Sequence, residues 1–118
     1  MKSYKAILNL QPYGAKLVVT ICDDVHRSAV RLLKKDEVYE EPFCACGLFY
    51  KEDVNSYHIW IQRGIDYDLY VPHEVYHLIS QMSQDLGLKE EEACAYMMGY
   101  VSKKIFTIIR KQELNKDL

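Results

Sequence analysis

A chain of 118 residues, 49% apolar and 27% charged, has the size and core material of one domain, residues 1–118, that folds without staples. Its formal net charge of −2 supplies no positive field, so neither nucleic acid nor an acidic membrane surface is expected as a partner. Ten tyrosines suit a cleft or a contact surface, because each buries a ring and keeps a polar tip.

Along the chain, residues 4–10 and 16–22 are strand-like, and Gln11-Pro12-Tyr13-Gly14 between them is turn chemistry, which predicts a hairpin. Asp24 is the expected N-cap of a helix from Val25 to about Lys35, with Val25, Ala29, Leu32 and Leu33 at helical spacing. Two more strands are expected over 47–51 and 57–62, joined by the polar turn Glu52-Asp53-Val54-Asn55-Ser56, and a loop runs from Gly64 to about Val71. Pro72 is suited to the first position of a helix that runs to Leu86 and stops at Gly87. A last helix should span about Lys89 to Arg110, with 111–118 a frayed tail. The order ββαββαα implies an α+β domain with an antiparallel-rich sheet and two packed helices.

No stretch approaches membrane-spanning length, and the first apolar run is too short for a secretory signal. The expected compartment is therefore cytoplasmic, with Cys22, Cys44, Cys46 and Cys94 mostly reduced. Cys44 and Cys46 stand as C-x-C without a second pair, so buried small hydrophobes are favoured over a cysteine metal site.

His73-Glu74-Val75-Tyr76-His77 is an H-E-x-x-H sequence within the predicted helix. Residues four apart lie one above the other on a helix, so His73 and His77 can grip one ion. Glu74 is rotated by about 100°, which lets it reach the ion's water without ligating. Val75, Leu78, Ile79, Met82 and Leu86 share a face suited to the sheet, whereas His73, His77, Ser80 and Gln84 lie opposite. Histidines on the polar side of an amphipathic helix are not core fillers. A catalytic zinc ion usually takes three protein ligands and one water. Ser80 and Ser83 stand where an extended H-E-x-x-H-x-x-G-x-x-H motif needs glycine and histidine, and Asp85 is about 12 Å along the axis from His77. The next helix offers Glu90, Glu91 and Glu92.

Glu92-Ala93-Cys94-Ala95-Tyr96, following H-E-x-x-H, resembles the second motif of gluzincin-type zinc peptidases, in which a glutamate on the next helix is the third ligand. Tyr96 stands where that motif carries Asp. The string from Glu91 to Tyr100 also looks like small H-E-x-x-H proteins of phages and mobile elements, and the resemblance covers roughly residues 57–105. It implies a small zincin-like fold, one Zn²⁺ held by His73, His77 and Glu92, and hydrolysis of a peptide or amide bond. The small pair Ala95 and Gly99, on the same side as Glu92, predicts close approach of the two helices there. First-turn dipole complementation accounts for Glu90 and Glu91.

In that chemistry Glu74 is the general base, and Tyr96, Tyr100 or Tyr76 would donate to the oxyanion. Substrate is expected to add as a strand beside Tyr57-His58-Ile59-Trp60-Ile61, although this segment reads equally as an internal strand. His58 and His26 are weaker ligand candidates. The alternative is a non-catalytic zinc-containing module that inhibits or regulates a partner protein. The broad apolar surface of the last helix (Ala93, Met97, Met98, Val101, Ile105, Phe106, Ile108, Ile109) makes a homodimer through it a further expectation.

Overall fold

Alternation along the strands decides where the core lies. In the computed structural model, which describes residues 3–35 and 46–116, β1 (Tyr4–Leu10), β2 (Ala15–Cys22), β3 (Gly47–Asp53) and β4 (Ser56–Gln62) form one sheet of order β1-β2-β4-β3. The sheet is mixed. β1 pairs antiparallel with β2 and β3 antiparallel with β4, while the central pair β2 and β4 is parallel.

Leu17, Val19 and Ile21 of β2 and Tyr57, Ile59 and Ile61 of β4 point to one face and are buried there. The residues between them point to the other face, where Cys22 and Trp60 meet Val25 and Ala29 of α1 (Val25–Lys35). Asp24 caps α1 as its chemistry predicts: its Oδ1 accepts from the Arg27 amide at 3.1 Å and its carbonyl from Ser28 at 3.0 Å.

The larger core is closed by α2 (Tyr67–Leu86) and α3 (Glu91–Lys116). α2 contributes Val71, Val75, Leu78, Ile79 and Met82, close to the apolar stripe its sequence displays. It starts five residues before the expected Pro72, because the carbonyl of Asp66 already accepts the amides of Leu69 and Tyr70 at 3.2 and 3.0 Å. Pro72 is thus inside the helix, in its second turn, where the carbonyl of Asp68 loses its helical donor. Gly87 ends α2 at φ 75°, a left-handed conformation that suits glycine.

α3 begins at Glu91 and continues through 111–116, so the expected frayed tail is largely helical. Lys111, Gln112 and Glu113 are good helix formers and carry it past Arg110. Its buried stripe is Met97, Val101, Ile105 and Ile109. No helix among the described residues is long and apolar enough to cross a membrane.

Candidate metal and catalytic site

One stripe of α2 faces the edge strand β3. Tyr70, His73, Glu74, His77, Gln81 and Asp85 recur at spacings of three and four, which puts them on a single helical face. β3 runs along this stripe in the same direction: Gly47 abuts Glu74, Phe49 stacks on His77, and Lys51 bonds Asp85.

At the N-terminal half, the Nε2 atoms of His73 and His77 approach to 3.3 Å, with the rings edge-to-face at 4.9 Å. Two nitrogens bound tetrahedrally to zinc at about 2.0–2.1 Å are separated by about 3.3–3.4 Å. The pair therefore has the spacing of two ligands of one ion, which is also the spacing of a single shared proton. Glu74 Oε2 is 3.8 Å from His73 Nε2, beyond hydrogen-bonding range. Both histidines are exposed, while Glu74 is only 4% exposed.

Burial pushes the Glu74 carboxyl above its ordinary value, and the neighbouring His73 opposes that shift. A carboxylate held in this way is a stronger proton acceptor than a solvated one. Gly47 makes the placement possible. A Cβ there would meet Cγ and Oε2 of Glu74 at 3.1 Å, tighter than ordinary contact. Gly47 and Phe49 carry no motif, and their importance rests on strand register that sequence spacing does not reveal.

The other predicted site residues are not gathered here. Among the described residues, no three His, Cys, Asp or Glu side chains converge as a metal cage. Glu92 is exposed, and so are Ala95 and Gly99. A Cβ at Gly99 would meet nothing within 4 Å, so the close helix approach expected at this small pair does not occur. The reason lies in the wheel: Glu92, Ala95 and Gly99 sit roughly opposite the buried stripe of Met97 and Val101. The short connection after Gly87 folds α3 back along α2, which leaves Glu92 about 12 Å nearer that connection than His77 along the helix axis.

Tyr96 and Tyr100 stack on each other at 6.3 Å on the outer side of α3, with Lys104 Nζ 5.6 Å from the Tyr100 ring. Tyr76 is 62% exposed. Among the described residues none of the three bonds to the histidine pair, and their exposure suits contact rather than packing.

β4 lies between β2 and β3 and is paired on both sides, so it offers no edge for an added strand. Its Trp60 is in the α1-side core, and His58 stacks on Trp60 at 5.4 Å and hydrogen-bonds with Glu52. His26 is half-buried on α1, on the sheet face opposite the candidate site.

Cys22 and Cys94 act as small buried or half-buried groups whose thiols donate weakly to the carbonyls of Ile61 (4.0 Å) and Leu88 (3.3 Å). Cys46 adjoins Tyr70, whose pKa it raises. Cys44, the other half of the C-x-C pair, lies outside the described residues.

The C-terminal half of the stripe is built differently. Asp85 Oδ1 accepts from Lys51 Nζ at 2.9 Å and from Gln81 Nε2 at 3.1 Å. The Tyr57 hydroxyl sits 3.0 Å from Asp85 Oδ2 and 2.7 Å from the Val54 carbonyl, one proton between two acceptors. Burial, then Asp85, push the Tyr57 phenol up, and hydrogen bonding, chiefly from Lys51, holds the Asp85 carboxyl down.

Comparison of the chain with protein-family models, curated proteins and solved structures finds no match.

Proposed function

We propose that this chain is a small metallohydrolase, zincin-like in its active-site helix, that cleaves a peptide or amide bond with Glu74 as general base. The observation that carries this is the histidine pair: two Nε2 atoms 3.3 Å apart, with a largely desolvated carboxylate 3.8 Å from one of them. His73 and His77 would hold the ion, and two imidazoles with oxygen donors suit Zn²⁺. When bound, zinc supplies Lewis acidity and brings the pKa of water toward neutrality. Glu74 accepts the proton of the attacking water and returns it to the leaving amine.

An extended peptide is the substrate class that fits. β3 is the sheet edge beside the histidine pair, and among the described residues its outer side has no strand partner. Strand addition is therefore assigned to β3, in place of the internal β4.

Glu92 remains the candidate third ligand by motif, and its distance from the pair favours a second reading. In it the chain is a zinc-containing contact module, with Tyr76, Tyr96 and Tyr100 as exposed contact groups. One experiment separates the two. Zinc content is measured on untagged protein, and the loaded protein is offered a peptide library read by mass spectrometry. Wild type should hold about one zinc and cleave; Glu74→Gln should hold zinc and not cleave; His77→Ala should lose zinc. Zinc without cleavage in wild type would favour the contact module, and no zinc after loading would overturn both readings.

A further inference from the structure

A histidine that ligates a metal ordinarily donates its second ring N–H to a carboxylate or carbonyl, which fixes the plane of the ring. Neither His73 nor His77 has such a partner among the described residues: the hydrogen bond they make is to each other, through Nε2. His77 is instead stacked. The Phe49 ring lies 6.3 Å from its centroid at 21°, inside the range for offset aromatic pairs.

Phe49 is itself held from behind. Its other neighbour is the Tyr57 ring, 6.0 Å away at 23°. Tyr57 is fully buried, and its hydroxyl is fixed between the Val54 carbonyl and Asp85. The three rings form a column from the sheet core to the surface of α2, anchored at its buried end.

We infer that Phe49 is the positioning residue for His77, its ring taking the place of the hydrogen-bonded partner that a ligating imidazole usually has. The inference rests on the metal reading above for its purpose, but the orientation itself exists without metal. Stacking holds the imidazole plane and leaves both ring nitrogens free of the protein core, so Nε2 stays aimed at the point it shares with His73. Among the described residues His73 has no such stacked ring beyond His77 itself, which makes His77 the fixed member of the pair.

The test uses the full chain. Phe49→Leu keeps apolar bulk and removes the ring, Phe49→Tyr keeps the ring, and Phe106→Leu alters a half-buried ring of α3 on the same core but outside the site. Zinc affinity is measured by competition with a chromophoric chelator. In metal-free protein, the carbon-bound imidazole protons of His77, assigned by their loss in His77→Ala, report the ring current of Phe49. Phe49→Leu should weaken zinc about tenfold, in line with the loss of an orienting partner, and should move the His77 resonances. Phe49→Tyr and Phe106→Leu should do neither.

Unchanged affinity in Phe49→Leu, or an equal loss in Phe106→Leu, would overturn the assignment. If wild type takes up no zinc, the metal reading fails on its own. The column is then judged by the resonances alone: movement in Phe49→Leu supports it, and an unmoved His77 refutes it.

Discussion

Glu74 should cost the metal-free protein stability, and the cost can be worked from its surroundings. The residue is 4% exposed, its carboxylate faces the backbone at Gly47, and His73 Nε2 lies 3.8 Å from its Oε2. A buried polar group without a compensating donor costs about 1–3 kcal/mol in mutational data, and an ionised one costs more. Glu74→Gln keeps the shape and removes the charge but leaves an amide that also wants partners, so the expected gain is at the low end, about 1 kcal/mol. Unfolding entropy near 2.1 cal/mol/K per residue converts this, for a chain of 118 residues, into a rise in Tm of about 4 °C. The assay is calorimetry at neutral pH with a chelator present, beside Glu74→Ala, which opens space as well as removing charge and should not gain. Zinc should narrow or reverse the difference, because a cation at the histidine pair compensates the carboxylate. A metal-free Glu74→Gln that melts at or below wild type would refute the idea that this carboxylate is held unpaired at a cost to the fold.

Two further outcomes follow from the same stripe. Asp85 has a depressed folded-state pKa, with hydrogen bonding from Lys51 as the first cause and Tyr57 and Gln81 contributing. Its stabilisation is complete above its ordinary value near 3.8 and is lost as the pH falls through the lower folded value. Asp85→Asn should therefore lower the Tm at pH 7, and its deficit should shrink as the pH drops below about 3.8; a deficit that grows in acid would contradict the sign. At Gly47, an added Cβ presses on Glu74 at 3.1 Å. Overpacking costs about 1–3 kcal/mol and removing a glycine returns about 0.4–1 kcal/mol through the unfolded chain. Gly47→Ala should thus lose about 1 kcal/mol, keep its zinc and lose turnover, as read by melting, metal content and peptide cleavage; unchanged turnover would show that Glu74 tolerates displacement.

What was legible in the sequence was whatever depends on local period. The seven elements appear in the expected order because alternation in 4–10, 16–22 and 57–62 and the apolar spacing of Val75, Leu78, Ile79 and Met82 are properties of single segments. The exposed placement of His73 and His77 followed from the same wheel. Pairing was not legible. Nothing within Tyr57–Ile61 says that β2 and β3 take its two edges, so the segment reads equally as an internal strand and as a substrate-binding one. The start of α2 was hidden because Pro72 is a strong first-position residue, while the true start rests on backbone bonds to Asp66. On α3 the small residues Ala95 and Gly99 suggested close packing. The larger apolar set of Met97, Val101, Ile105 and Ile109 took the buried side instead, and Glu92 went with the small residues into solvent.

The two halves of the α2 stripe differ in a way that composition does not explain. Both are polar, both face β3, and the same strand serves both. Around Asp85 every side chain is answered: an ammonium, an amide and a phenol converge on one carboxylate, and burial is matched by bonding. Around Glu74 the carboxylate is largely desolvated, against a glycine that leaves room for it, with His73 at 3.8 Å and no hydrogen-bond donor on it among the described residues. A sequence selected for stability alone would place the satisfied arrangement at both ends, since Lys51 shows that β3 can supply a donor to the stripe. Local rules are broken in natural proteins chiefly where function needs the broken arrangement. A largely desolvated carboxylate next to two convergent imidazoles would be compensated by a cation and a water brought to it, which is what the proposed chemistry asks of this half of the helix and not of the half around Asp85.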